Sequence, residues 1–195
     1  MRKQPRQARA RATIDAILDA AAHILGQRGW IGLTTNAVAE VAGVSIGSLY
    51  QYFPNKLALI EAVRRRHFDE VLAVLRAAAD RGTSRSRRVL ALVDGMIAVH
   101  SRYPAAHRVL LEESPRSVDS REVHDQFEVE CRKAYEAIFA ANAPGAMHAG
   151  IGAQVLAGAV AGAVHEAARR GTLASPITRG EIATLVESYL AKRRS

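Results

Sequence analysis

"VSIGSLYQYFPNK", residues 44–56, decides the fold, because it places three aromatic rings within positions 50–53. A helix of barely two turns is unstable in water by itself, so a short helix here needs anchors. At about 100° per residue, Leu49 and Phe53 share one side of that helix, with Ile46 next to them. We therefore expect Leu49 and Phe53 to attach the helix to its neighbours.

The opposite side of this short helix carries small and polar residues. Gly47 and Ser48 would let the backbone approach base edges closely, and the amide of Gln51 can pair bidentately with adenine. Tyr50 and Tyr52 flank this side, where their hydroxyls can reach the two sugar-phosphate walls of a groove. The pattern predicts a helix that enters duplex DNA, whereas "GSLYQYF" alone would equally describe an amphipathic core helix.

The residues around this helix supply its caps and its turn. Ser45 is the expected N-cap, and Asn55 caps the next helix, whose N-terminus can bind a phosphate together with Lys56. Upstream, "TTNAVAEVAGVS" (residues 34–45) contains small alanines that let two helices cross closely, and Gly43 permits a tight turn between them. Two short helices joined in this way are typical of a helix-turn-helix motif.

From about Arg11 to Ala62, the sequence resembles the DNA-binding domain of the tetracycline-repressor (TetR) family of bacterial regulators, through the core "AGVS-x-G-x-LY-x-YF-x-x-K". The resemblance implies an N-terminal three-helix DNA-binding domain, a helical dimerisation domain, and repression relieved by a small ligand. Leu57 departs from the family, which often has an acidic residue there. The DNA-binding residues that the resemblance implies are Thr35, Asn36, Ser45, Ile46, Gly47, Ser48, Tyr50, Gln51, Tyr52 and Lys56.

Charge also favours an anionic partner, since the 195-residue chain has a formal net charge of +8. Five basic residues and no acidic one lie within residues 1–11, which form either a solvated tail or an arm along phosphates or in a minor groove. No signal peptide is recognisable, and the longest apolar run, residues 155–164, is shorter than the roughly 18 residues that span a bilayer. We expect a soluble protein of the bacterial cytoplasm with no membrane partner.

Apolar residues recur at three and four positions along nearly the whole chain, which predicts an all-α fold of about nine helices. We expect a TetR-type DNA-binding domain over residues 10–70, with its helix-turn-helix at about 33–52. Residues 71–195 would form a helical ligand-binding and dimerisation domain. "TRGE" at 178–181 reads as a capping box that opens the last helix.

A stretch rich in alanine and glycine, residues 146–170, predicts a helix with little bulk on any side. Glycine inside a helix costs up to about 1 kcal/mol relative to alanine, so a close backbone approach is a reasonable compensation. We expect a homodimer through the last two helices, although burial within one subunit would also explain the pattern. The predicted interface consists of Val155, Gly158, Ala159, Gly162, Ala163, Leu185 and Tyr189.

The middle helices offer candidate ligand contacts, most of which would also suit an ordinary core. They are Met96, His100, His107, Leu111, Phe127, Cys131 and Gln154.

No enzymatic pattern is present in the sequence. "HEAAR" at 165–169 approaches the zinc-helix pattern, but Arg169 stands where the second histidine is needed. His124 and Glu128 lie at i and i+4 and could chelate a metal weakly, whereas a solvated helix face is the simpler reading. We expect no catalytic residue, no cofactor and no metal site.

The predicted function is therefore a homodimeric transcriptional regulator that binds a palindromic operator in double-stranded DNA, most simply a repressor released by an unknown small ligand. A ligand-responsive activator of the same fold is one alternative. Another is a helical ligand-binding or interaction protein without specific DNA binding. Salt dependence separates that second alternative from both regulators, because phosphate binding weakens steeply as salt rises.

Overall fold

The computed structural model describes residues 4–110, 118–142 and 148–192, and all regular structure in them is helical. The expectation of an all-α fold with about nine helices is confirmed. The helices are α1 (Gln4–Gly32), α2 (Thr35–Val41), α3 (Ile46–Tyr52), α4 (Lys56–Ala78), α5 (Arg85–Ser101), α6 (Pro104–Arg108), α7 (Val118–Asn142), α8 (Ala149–Arg169) and α9 (Pro176–Ala191).

The chain divides into two compact units. The N-terminal unit comprises Met1–Arg66 and Tyr103–Ser120, and the C-terminal unit comprises His67–Arg102 and Arg121–Ser195. The boundary falls within α4, and the short helix α6 belongs to the N-terminal unit although α5 precedes it. The domain limits drawn from the sequence stay a prediction.

In the N-terminal unit, α1 supplies one wall of the core and packs against α2 and α6. The regular helix is interrupted at Gly29, whose φ of 65° is in the range that favours glycine. This is the position at which helical periodicity ends in the sequence. The side chains of α1 that are buried in this core are Ile17, Leu18, Ala20, Ala21, Ala22, Ile24 and Leu25.

Two arginines of α4 strengthen the same unit. The buried guanidinium of Arg64 donates to the carbonyl of Leu110 at 3.2 Å. Arg66 pairs with Asp19 of α1 at 2.8 Å. Because a buried charge is stable only when it is hydrogen-bonded, the contact of Arg64 fixes the segment after α6 against the start of α4.

The C-terminal unit has its own core, to which α5, α7, α8 and α9 all contribute. A pair of polar side chains is buried in the same unit. Arg88 of α5 donates through Nε and a terminal nitrogen to Oδ1 of Asn142, at 3.2 and 3.1 Å. Asn142 in turn donates to the carbonyl of Ile138 at 2.7 Å. These bonds hold the end of α7 against the start of α5.

One expectation about a helix end needs correction. The last helix begins at Pro176 with Ser175 as its N-cap, so Thr178 lies inside the first turn and the capping box is wrong. Proline suits that first position because its missing N–H would have no partner there. From Gln4 onward the basic N-terminal segment is part of α1, so its backbone is helical, and its placement along DNA stays a prediction.

Among the described residues, one helix, α8, is long and apolar enough to cross a bilayer by length and composition alone. A core helix of a soluble protein meets the same criterion. Six of its residues are buried within the C-terminal unit: Gly152, Ala153, Leu156, Val160, Val164 and Ala167.

Candidate nucleic-acid interface

The turn between α2 and α3 is set by Gly43, whose φ of 67° lies in the left-handed region that favours glycine. The amide of Val44 donates to the carbonyl of Ala39 at 3.0 Å, which closes the turn. Ala39 is buried, in keeping with its expected place at the helix crossing. The helix-turn-helix geometry predicted from the sequence is thus present.

The short helix α3 is anchored by Leu49 and Phe53, which are 0% and 7% exposed. Ser45 caps it, because its Oγ accepts the amide of Ser48 at 3.1 Å. Ile46, which is next to them in helical projection and is one of the expected DNA-contact residues, is 38% exposed and does not join the anchors. As the first residue of the helix, Ile46 has no preceding turn beside it that could cover its side chain.

The outer side of α3 lies at the surface. Gly47 and Gln51 are exposed and Ser48 is half-buried. A Cβ added to Gly47 would meet only the hydroxyl of Ser45, at 3.9 Å, so the backbone here is open to a close approach. Tyr50 and Tyr52 are 49% and 36% exposed, and both rings therefore reach solvent.

The hydroxyl of Tyr50 lies 3.1 Å from Oγ1 of Thr35. This hydrogen bond joins the first residue of α2 to α3. Thr34, directly before it, caps α2 by accepting the amide of Ala37 at 3.2 Å. A bond between residues 15 positions apart leaves no periodic signal in the sequence, so sequence reasoning could not find it.

Lys56 is engaged within the chain. Its Nζ donates to the carbonyl of Trp30 at 2.5 Å and lies 3.9 Å from the centre of the indole ring. Partial burial lowers the pKa of this amine. Asn55, the expected cap, accepts the amide of Ala58 at 2.8 Å and so opens α4. The ammonium thus lies at the start of α4, where a phosphate was expected to bind.

The remaining candidates of the N-terminal unit lie at or near the surface. Asn36 of α2 is exposed, as are Arg9 and Arg11 of the basic segment. Three further basic residues of that segment have side chains outside the described ones: Arg2, Lys3 and Arg6.

The predicted ligand contacts do not form one group. Met96 and His100 are buried and adjacent, since Nδ1 of His100 lies 2.8 Å from the carbonyl of Met96. Phe127 stacks on Phe68, with ring centres 3.9 Å apart. Cys131 packs against the core of the C-terminal unit, and burial raises the pKa of its thiol to about 11. The thiol is therefore unreactive.

Three other candidates belong to other segments of the chain. Gln154 is exposed on α8. His107 belongs to α6 in the N-terminal unit. Leu111 lies outside the described residues.

Two histidines of the C-terminal unit are held neutral. Burial lowers the pKa of His67 to about 3, with further contributions from His100 and His165. Burial also lowers the pKa of His100 to about 4, although its hydrogen bond to Met96 acts in the other direction. Sequence reasoning missed His67, which has an unremarkable place within its own helix, and it considered His165 only as the first residue of "HEAAR".

The residues predicted to form a dimer interface lie mainly on the outer side of α8 and α9. Val155 and Leu185 are 49% and 46% exposed. Gly158 and Gly162 are exposed, and a Cβ added to either would meet nothing within 4 Å. Ala159 and Ala163 are half-buried. Tyr189 differs from the others, because its hydroxyl donates to the carbonyl of Gly152 at 3.2 Å.

Two family profiles match the chain. Residues 17–63 match the profile of bacterial regulatory proteins of the tetR family. Residues 86–190, more than half of the chain, match the profile of the tetracyclin repressor-like C-terminal domain. Both profiles describe regulatory proteins rather than enzymes.

Characterised relatives resemble parts of the chain. The transcriptional activator FasR of Mycolicibacterium smegmatis is 29% identical over 63% of this chain and 55% of its own length. The repressor KstR of the same organism is 34% identical over 45% of this chain and 43% of its own. The regulator RutR of Escherichia coli is 47% identical over 32% and 29%. The chain therefore spans about half the length of these relatives, or less.

Solved structures share the fold over nearly the full chain. A regulator from Pseudomonas aeruginosa PAO1 superposes with a TM-score of 0.73 at 20% identity, covering 98% of this chain and 92% of its own. A SmeT–triclosan complex gives a TM-score of 0.68 at 22% identity, covering 93% and 91%. With both domain profiles matched and a helix-turn-helix in place, the chain belongs to the TetR family of DNA-binding transcriptional regulators.

Proposed function

We propose that this regulator is a homodimeric repressor that binds a palindromic operator through α3 and leaves it when a small ligand binds. The observation that carries the proposal is the two-sided character of α3, in which two buried anchors support an exposed polar face. The DNA-binding domain is proposed over residues 10–70, and the ligand-binding and dimerisation domain over residues 71–195.

The exposed face of α3 assigns different roles to its residues. Gln51 is proposed to read a base edge, because its amide offers the donor and acceptor that adenine requires. Tyr50 and Tyr52, at the edges of the face, are proposed to contact phosphates and so set the register of the helix. Lys56 is proposed to exchange its contact with Trp30 for a phosphate. The other proposed DNA-contact residues are Thr35, Asn36, Ser45, Ile46, Gly47 and Ser48.

The glycines of α8 support the dimer. Gly158 and Gly162 lie within the helix, where glycine weakens it by up to about 1 kcal/mol each. Nothing in the described part of the chain crowds either position, so packing within one subunit does not require glycine there. A second copy of the chain whose backbone approaches this face closely would require glycine there. Val155 of α8 and Leu185 of α9 are exposed in the single chain, and the partner would then cover them.

A dimer also supplies the specificity that one short helix lacks. Two copies of α3 would read half-sites about 34–36 Å apart, or a multiple of that distance, so the operator would be palindromic. A ligand that binds better to the form with its recognition helices out of register would weaken DNA binding by its differential affinity for the two forms.

Repression and activation each have some support from the relatives. The C-terminal profile is that of the tetracyclin repressor, and KstR is named as a repressor. FasR, with its longer matched segment, is named as an activator. Activation by the same DNA-bound dimer is therefore the second candidate. As a DNA-binding regulator of a bacterial family, the protein is proposed to act in the cytoplasm.

Selection of bound duplexes from a random pool tests the proposal. We expect enrichment of a two-fold symmetric site, and binding to that site should weaken roughly linearly on logarithmic axes as salt rises. Enrichment of an asymmetric site would overturn the proposed dimer. If no site is enriched and binding does not depend on salt, DNA recognition is overturned. A reporter gene with the selected site overlapping its promoter, or lying upstream of it, then distinguishes repression from activation.

A further inference from the structure

Trp30 and Lys56 stand at the two ends of the segment that contains the helix-turn-helix. Trp30 lies near the end of α1, and Lys56 is the first residue of α4. Nζ of Lys56 donates to the main-chain carbonyl of Trp30 at 2.5 Å and also lies 3.9 Å from the centre of the indole ring. Both residues belong to the N-terminal unit, and Trp30 packs against its core. The core therefore holds the ring in place beneath the ammonium.

The two contacts attract the ammonium for separate reasons. Carbonyl groups near the C-terminus of a helix lack partners within the helix and carry partial negative charge, so they favour a cation. The face of an indole ring is also negative, and tryptophan attracts a cation more strongly than the other aromatic side chains. A phosphate that takes the ammonium must first release it from both groups.

We propose that Trp30 opposes DNA binding: its indole holds the ammonium of Lys56 in the DNA-free protein, and this attraction is lost when Lys56 moves to a phosphate. The inference rests on the phosphate contact in the proposed function, and it adds a residue to which the sequence gave no role. An attraction present only in the free protein lowers the affinity for every duplex that Lys56 contacts. Trp30 is thus a positioning residue, because it acts on DNA only through Lys56.

Substitution of Trp30 separates its two contacts, since the carbonyl belongs to the main chain and remains in every variant. Trp30→Leu removes the ring, whereas Trp30→Phe keeps an aromatic face that attracts a cation less strongly. Lys56→Met keeps an unbranched side chain without the charge. When the substitutions are combined in a double-mutant cycle, a general loss of structure caused by the Trp30 variant is common to both backgrounds and cancels.

Gel-shift titration of the four full-length proteins with the selected operator measures this coupling. We expect the effect of Trp30→Leu on affinity to be about two- to fivefold more favourable with Lys56 present than in the Lys56→Met background. Trp30→Phe should give a smaller coupling of the same sign. Absence of coupling overturns the proposal. Coupling of the opposite sign also overturns it, because Trp30 would then present the ammonium to the phosphate.

Salt dependence distinguishes this inference from the proposed function. Lys56→Met should reduce the slope of log affinity against log salt by about 0.9, because one phosphate contact is lost. Trp30→Leu should leave the slope unchanged, whereas a structural defect that weakened several contacts would reduce it. An unchanged slope in Lys56→Met contradicts the phosphate contact in the proposed function, and the role of Trp30 with it. A reduced slope in Lys56→Met without coupling overturns the role of Trp30 alone.

Ile31, next to Trp30 and 91% exposed, provides the matched control. Ile31→Ala should show no coupling to Lys56→Met, and a coupling as large as that of Trp30→Leu would overturn the role of the ring. The contact itself is tested without DNA by nuclear magnetic resonance. The ε-methylene protons of Lys56 should resonate upfield of those of the other lysines, because of the ring current, and Trp30→Leu should abolish this difference. Absence of the upfield shift in the unsubstituted protein overturns the proposal.

Discussion

The helices α3 and α8 both present glycine at the surface, yet their surroundings differ. Around Gly47 on α3, the exposed groups are mainly polar, an amide and two phenols that form hydrogen bonds, beside the side chain of Ile46. Around Gly158 and Gly162 on α8, the exposed neighbours include the apolar Val155. An exposed glycine therefore permits a close approach to the backbone without identifying the partner. The groups beside it indicate whether that partner is polar, as DNA is, or apolar, as a second copy of α8 would be.

The two helices also differ in how they are held. The seven residues of α3 include one buried side chain, Leu49, with Phe53 directly after the helix. The 21 residues of α8 include six buried ones. Loss of one anchor should consequently affect α3 far more than α8, and the predictions below test this difference.

The largest effect is expected from Leu49→Ala. Removing a fully buried leucine should lower the free energy of unfolding of the N-terminal unit by about 2–5 kcal/mol and abolish specific DNA binding. Chemical denaturation and gel-shift titration measure the two quantities. Gln51→Ala, on the exposed side of the same helix, is the control and should leave the free energy of unfolding unchanged. Equal stability of Leu49→Ala and the unsubstituted chain would contradict the anchoring role.

Gly162→Leu tests the apolar face of α8. The Cβ of the new side chain would meet nothing within 4 Å in the described chain, whereas the leucine would collide with a partner helix, weakening the dimer by about 1–3 kcal/mol per subunit. Sedimentation equilibrium over a range of concentrations measures the change. Ala137→Leu, an exposed small-to-large change on α7, should leave the dimer intact. A dimer of unchanged strength in Gly162→Leu would show that α8 faces solvent.

Gln51→Ala should change base preference rather than overall affinity. Loss of one bidentate contact reduces discrimination at the contacted base pair by about 1–3 kcal/mol. Competition between the selected operator and single-base variants measures this loss. Discrimination that falls equally at every position, or at none, would remove Gln51 from base reading.

The smallest effect is expected from Tyr50→Phe. The variant loses both the hydrogen bond to Thr35 and the proposed phosphate contact, so affinity should fall by about 0.5–1.5 kcal/mol on every duplex alike. Gel-shift titrations on the operator and on an unrelated duplex measure it. Thr35→Val is the comparison variant, because it removes the internal bond and the proposed DNA contact of Thr35 but keeps the phenol of Tyr50. A loss confined to the operator would assign Tyr50 to base reading instead.

Helical periodicity was sufficient to predict the anchors of α3 and its polar face, because both depend on residues within two turns. It does not locate the ends of helices, however: the capping-box pattern at Thr178 matches, but Ser175 and Pro176 open α9 three residues earlier. Local patterns identify faces more securely than they identify ends.

Contacts between distant residues account for most of what the sequence did not reveal. Lys56 was assigned to a phosphate, but nothing in its surroundings pointed to Trp30, 26 positions earlier. The bond between Thr35 and Tyr50 and the three clustered histidines are of the same kind. Such contacts depend on how helices pack, which single-sequence periodicity does not encode.

The contact between Lys56 and Trp30 gives the protein an optical reporter of its own. Trp30 is the only tryptophan in the chain, and the ammonium lies 3.9 Å from the centre of its ring. A cation so close to an indole perturbs its excited state, so the proposed exchange of Trp30 for a DNA phosphate by Lys56 would alter the intrinsic fluorescence. Occupancy of the proposed operator could then be followed in real time without any attached dye.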